Sequence, residues 1–160
     1  MKFLTKDNKI PVAVWWELIL PLMQEGYQLK ICPAGGSMIP FLVGGRDEAV
    51  LSLPGENFRF RVGDIILYRI DDGIYVLHRI TQIRGLDIYT LGDAQTKIYG
   101  PIRREDIIAY ADYIIRKGKK IPRSNLRYQI LATIWRWIRP YRRKVMDVYT
   151  YLSRKLFHLC

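Results

Sequence analysis

The stretch Gly63-Asp64-Ile65-Ile66-Leu67-Tyr68-Arg69-Ile70-Asp71-Asp72-Gly73-Ile74-Tyr75-Val76-Leu77-His78-Arg79-Ile80 reads as two β-strands joined by a tight turn. Apolar, β-branched and aromatic residues dominate 64–70 and 73–82, and Asp71-Asp72-Gly73 between them carries the turn chemistry of a hairpin. Alternation along the second run sets Val76, His78 and Ile80 on one face and Leu77 and Arg79 on the other. Outward from this pair, period-two runs recur at 27–32, 48–53, 87–91 and 107–116, mostly bounded by Gly, Pro or Asp. Residues 27–118 are therefore expected to form a mainly β core.

The flanks read differently. Residues 12–23 have the pattern of an amphipathic helix, with Pro11 near its start and Gly26 at its end. The run is shorter than the roughly 20 apolar residues of a membrane span, and Glu17 and Pro21 interrupt it. It also lacks the small-residue cleavage site of a secretory signal. From Ser124 the spacing becomes helical again, with Leu126, Ile130, Ile134, Trp137 and Ile138 on one face and Ser124 or Asn125 as cap. Pro140 breaks or kinks this helix. A second run then sets Tyr141, Val145, Val148, Tyr149, Leu152 and Leu156 on one face. Three segments follow: an N-terminal helical segment at 1–26, a β-rich core at 27–118 and a basic amphipathic helical tail at 119–160.

Charge divides along the same line. The chain of 160 residues carries a net charge of +11. Residues 1–115 are nearly neutral, with 13 Lys and Arg against 14 Asp and Glu, whereas 116–160 hold 13 Lys and Arg against the single acid Asp147. With two cysteines and two histidines, neither a disulfide framework nor a zinc site is indicated, and no cofactor is expected. Cys32 reads as a small buried apolar residue.

Chemistry concentrates in Gly35-Gly36-Ser37-Met38-Ile39-Pro40. Two glycines leave the backbone before the serine unencumbered and a proline stiffens the chain after it. A hydroxyl on such a turn, with bare N–H groups beside it, suits attack on a carbonyl, provided a base is near. Of the two histidines, His158 lies in the terminal helical run, which leaves His78 as the candidate. Asp93, in Leu91-Gly92-Asp93-Ala94, falls in a turn after the next strand.

Taken in order, Gly-x-Ser-Met-x-Pro at 35–40, Gly63-Asp64-Ile65-Ile66, His78-Arg79-Ile80 and Gly92-Asp93 resemble the boxes of the type I signal peptidases. More broadly the chain is similar to the S24/S26 superfamily of serine peptidases, which includes the LexA-type autoproteases. The likeness spans roughly 30–112. It implies a signal-peptidase/LexA-like β-rich catalytic core and an endopeptidase that removes a leader or signal segment from a precursor peptide or protein. Ser37 is then the nucleophile. The superfamily's bacterial members place a lysine base in the strand that here carries His78. With no lysine between Lys30 and Lys97, the chain resembles the His type, with His78 as general base and Asp93 orienting the imidazole.

Two departures follow from the same comparison. The His type carries a second acid several residues beyond Gly-Asp, where this chain has Thr96-Lys97-Ile98-Tyr99, so a Ser–His dyad stays open. Several relatives supply an oxyanion-hole hydroxyl two residues before the nucleophile. Here that residue is Gly35, which leaves the oxyanion to backbone N–H groups, chiefly that of Ser37, beside Gly36. Met38 either shapes the floor near the scissile bond or packs in the core, and Gly63-Asp64 has a structural role. The aromatic, arginine-rich tail at 124–160 suits an anionic membrane surface or an acidic peptide partner, and no helix-turn-helix pattern supports nucleic acid. A cytoplasmic or peripheral-membrane location is expected. The alternative to an enzyme is a catalytically inactive peptide-binding module on the same fold.

Overall fold

Ile65–Ile70 and Ile74–Arg84 pair antiparallel, with Ile66 opposite His78 and Leu67 opposite Leu77. The computed structural model describes residues 3–5, 12–33, 35–70 and 74–157, so the Asp71-Asp72-Gly73 turn, His158 and Cys160 lie outside the described residues. The strands are β1 (Phe3–Thr5), β2 (Gln28–Ile31), β3 (Glu48–Ser52), β4 (Ile65–Ile70), β5 (Ile74–Arg84), β6 (Asp87–Leu91), β7 (Tyr99–Ile102), β8 (Ile107–Arg116) and β9 (Lys119–Pro122). They form one sheet in the order β1-β2-β3-β8-β4-β5-β6-β7, with β9 added on β8. Among the described residues only the β1–β2 pair is parallel. Helices α1 (Val12–Gln24), α2 (Leu126–Trp137) and α3 (Arg142–Phe157) complete the chain, and a single 3-10 turn at Arg139–Tyr141, carrying Pro140, separates the last two. The protein is mainly β.

All six period-two runs are strands. Three further strands carry little sequence signal, for identifiable reasons. β1 is too short to show a period, and β7 contains Gly100 and Pro101, which an edge position tolerates. The basic run Lys119–Pro122 reads as a charged junction, yet it folds back on β8. That hairpin needs two left-handed residues, supplied by Lys117 at φ 49° and Gly118 at φ 75°. Asp47 secures the turn by accepting from the Lys117 amide at 3.2 Å.

Alternation divides the core between the two faces of the sheet. One face carries Ile65, Leu67, Ala109 and Ile114, onto which Met38, Phe41, Leu42 and part of α1 and α2 pack. The other carries Ile66, Tyr68, Ile80, Ile88, Ile102 and Ile107. Asn125 caps α2, its side chain accepting from the Tyr128 amide at 2.9 Å.

The stripe Leu126, Ile130, Ile134 and Trp137 does not face the core: Leu126 is 71% and Trp137 78% exposed. The buried side of α2 is Tyr128 and Ala132, with Trp135 half-buried. The site beneath holds a buried guanidinium, so a phenol that can bond it and a small alanine fit where long aliphatic chains would not. Cys32 is exposed rather than buried, its Sγ accepting from the Gly45 amide at 3.1 Å. Among the described residues no helix is long and apolar enough to cross a membrane.

Candidate active site

Ser37 is half-buried in the turn between β2 and β3, and its carbonyl accepts from the Ala94 amide at 2.8 Å. That bond ties the serine turn to the Gly92-Asp93 loop. The approach is so close that a Cβ on Gly92 would lie 2.8 Å from the Ser37 oxygen, so only glycine fits there. Register explains why His78 is near. Arg79 pairs with Leu91 and Ile80 with Thr90, and one step further the same register sets Gly92 beside His78. The serine turn and the Gly92-Asp93 loop therefore lie at the end of the β5–β6 pair that carries His78.

His78 is buried on the second face of the sheet, with the Tyr99 ring tilted against it at 45° and 5.5 Å between centroids. Burial pushes its imidazole down to about 4, against a partial upward pull from the Asp93 charge. The ring is therefore neutral at ordinary pH, the state that can accept a proton. Its Nδ1 lies 3.4 Å from the Tyr68 hydroxyl, which is itself 3.0 Å from Thr90 Oγ1. When Nδ1 carries its proton and donates it to Tyr68, Nε2 is left as the free base. No hydrogen bond joins Ser37 Oγ to His78 among the described residues. Such contacts commonly tighten only when substrate is bound.

Asp93 has another partner. Its carboxylate accepts two hydrogen bonds from Arg79, whose Nη1 also donates to the Gly63 carbonyl at 2.8 Å and Nη2 to the Tyr128 hydroxyl at 2.8 Å. Phe41 and Tyr128 flank the guanidinium, their ring centroids 5.2 and 5.3 Å away. Burial alone would lower the Arg79 guanidinium, but Asp93 and Tyr128 overcome that and hold it above its ordinary value. Because Arg79 and His78 point to opposite faces of β5, a carboxylate gripped by Arg79 is turned away from the imidazole. Asp93 thus acts on His78 through its field and not as a hydrogen-bonded orienting group. The side chain nearest Nδ1 is instead that of Tyr68.

Two residues of the C-terminal helices reach the same loop. Trp135 Nε1 donates to the Asp93 carbonyl at 2.6 Å. Arg142, almost fully buried, donates to the carbonyls of Gly92 (3.3 Å), Gln95 (2.9 Å) and Trp135 (3.1 Å). A cation spent on carbonyls rather than on an anion is unusual, and burial lowers this guanidinium from its ordinary value. The loop that meets Ser37 is therefore held from behind.

The remaining expected residues separate clearly. Gly35 and Gly36 are exposed at the entrance to the serine turn, where the backbone is open to solvent. Met38 lies in the main core cluster, which is the packing role. Gly63-Asp64 opens β4: the Gly63 amide donates to the Ile80 carbonyl at 2.8 Å, and Asp64 pairs with Arg123 at 2.6 Å. Sequence reasoning missed Tyr68, Thr90, Tyr128, Trp135 and Arg142. Tyr68 had a findable signal, since a residue diagonal to His78 across a hairpin shares its face. The others depend on tertiary contacts. A scan against protein-family models gives no match for this chain, and neither does a comparison with curated proteins.

Proposed function

We propose that the chain is a serine endopeptidase of the type I signal peptidase and LexA-type superfamily, cutting a leader or signal segment from a precursor peptide or protein. The observation that carries this reading is the hydrogen bond from the Ala94 amide to the Ser37 carbonyl. It joins the serine turn to the Gly92-Asp93 loop, which follows the strand paired with that of His78. A buried, neutral imidazole and an open glycine turn are what the chemistry needs. Ser37 Oγ attacks the scissile carbonyl while its proton passes to His78 Nε2. The oxyanion forms against backbone N–H groups of the turn, and the imidazolium returns the proton to the leaving amine. Water, deprotonated by the same imidazole, then releases the acyl group from Ser37.

Labelling by a fluorophosphonate probe tests the nucleophile: wild type reacts, and Ser37→Ala does not. Ser37→Ala and His78→Ala each abolish precursor cleavage while the chain keeps its fold. Full cleavage by either variant ends the proposal. The missing Ser37–His78 hydrogen bond favours a second reading, a peptide-binding module without catalysis. That reading is distinguished by a wild-type chain that binds the precursor yet neither cleaves it nor reacts with the probe.

A further inference from the structure

Helix α2 is apolar on two opposite sides. Tyr128 and Ala132 face the core, while Leu126 (71% exposed), Ile130 (49%), Ile134 (55%) and Trp137 (78%) form a continuous stripe at helical spacing on the solvent side. Beyond Pro140, Tyr141 (66%) and Val148 (58%) are exposed as well. Scattered exposed apolar residues are ordinary, but an aligned row along one face of a helix is the signature of an interaction surface.

We propose that this face lies on an anionic lipid bilayer and seats the protein peripherally in the headgroup region. Charge identifies the occupant. The last 45 residues carry 13 Lys and Arg against Asp147 alone. Arg123 and Arg142 are consumed by internal contacts, but Arg127, Arg143 and Lys144 are exposed on the same helices. Aliphatic residues with Trp and Tyr at one edge and cations beside them match the interfacial zone, where aromatic rings sit at headgroup depth and cations meet anionic lipid. Shape separates a bilayer from a peptide. The outer side of a helix is a ridge, which embeds in a plane, whereas a bound peptide needs a groove or an open strand edge.

The seating has a geometric result. The opposite side of α2 carries Trp135, bonded to the Asp93 carbonyl, so loop 92–95 lies one helix diameter, about 10 Å, from the lipid surface. This inference does not depend on the peptidase reading.

Vesicle co-sedimentation of the full chain provides the test. Vesicles of phosphatidylcholine with about 30 mol % phosphatidylserine should bind the protein, pure phosphatidylcholine at least tenfold less, and about 0.5 M salt should weaken binding strongly. The variant Ile130→Ser/Ile134→Ser/Trp137→Ser should lose at least tenfold in partitioning with its melting curve unchanged, because all three side chains are exposed. In wild type, bromolipid should quench the fluorescence difference between the protein and Trp137→Phe. No binding to anionic vesicles, or wild-type binding by the triple variant, overturns the proposal. So does a wild-type dimer that the triple variant dissociates, or an acidic peptide whose binding the triple variant abolishes while vesicle binding persists.

Discussion

Arg79 grips Asp93 with two parallel hydrogen bonds, Nε to Oδ1 at 2.9 Å and Nη2 to Oδ2 at 2.8 Å, both side chains almost wholly removed from solvent. The pair occupies the junction between β5, the Gly-Asp loop and α2. Its state governs the packing of all three.

Asp93→Asn should therefore act first on stability. Leaving Arg79 buried without its counter-charge costs about 3–5 kcal/mol, to be read from urea denaturation. The double variant Arg79→Met/Asp93→Leu should recover much of that loss, since an apolar pair of similar volume removes the orphaned charge. A different result, wild-type stability with a rate lowered about 10⁴-fold, would mean that Asp93 works directly on the imidazole.

The depressed imidazole makes two pH predictions. In kcat/KM, the acid limb assigned to His78 should lie near pH 4 rather than near its ordinary 6.5. For folding, the sign follows from which state binds the proton first. Between pH 6.5 and 4 the unfolded chain holds a proton on His78 that the folded protein refuses. The full contribution is thus present above pH 6.5 and declines as pH falls to about 4, by up to about 3 kcal/mol. His78→Gln should flatten that part of the stability profile; an unchanged slope contradicts the burial of a neutral ring.

Tyr68→Phe removes the hydroxyl beside Nδ1 without emptying the core. We expect kcat to fall about tenfold or more with KM little changed, and stability to fall by about 1 kcal/mol as Thr90 loses its partner. Nitrogen NMR of the His78 ring should show a changed tautomer balance. An unaltered ring spectrum would remove Tyr68 from the orienting role.

Trp135→Phe and Arg142→Gln loosen the loop from behind. Trp135→Phe keeps an aromatic ring beside Phe41 but deletes the bond to the Asp93 carbonyl. The amide of Ala94, bonded to the Ser37 carbonyl, should then exchange its hydrogen about tenfold faster or more, with a parallel loss in kcat. Protection at Ala94 equal to wild type would make the two residues ordinary packing.

How much of this is legible in the chain depends on how local the cause is. The strands of the central hairpin are legible because a half-buried strand prints its two faces directly into the sequence. The facing of His78 and Arg79 follows from the same alternation. Placing Arg79 opposite His78 already implied that one carboxylate would not bond both, but nothing local said which would take it. The orientation of α2 is illegible for the opposite reason. Its solvent stripe is more hydrophobic than its buried side, so periodicity points away from the core. Only the presence of Arg79 and Phe41 beneath explains why Tyr128 and Ala132 go inward. Arg142 is the extreme case: in sequence it is one cation among many, and only the three carbonyls around it distinguish it.

The long strand β8 pairs with β3, β4 and β9, and β3 and β4 meet only through it. Its first residue is Ile107, far downstream of both neighbours. During synthesis, the first hundred residues therefore emerge with two strand edges that have no partner on the ribosome. Non-local closure of this kind is slow, and open edges invite pairing between chains. Nascent chains halted before Ile107 should be readily digested by protease, and protection should appear only once 107–116 has cleared the exit tunnel. Yield in a cell would then be limited by how quickly translation delivers one late strand.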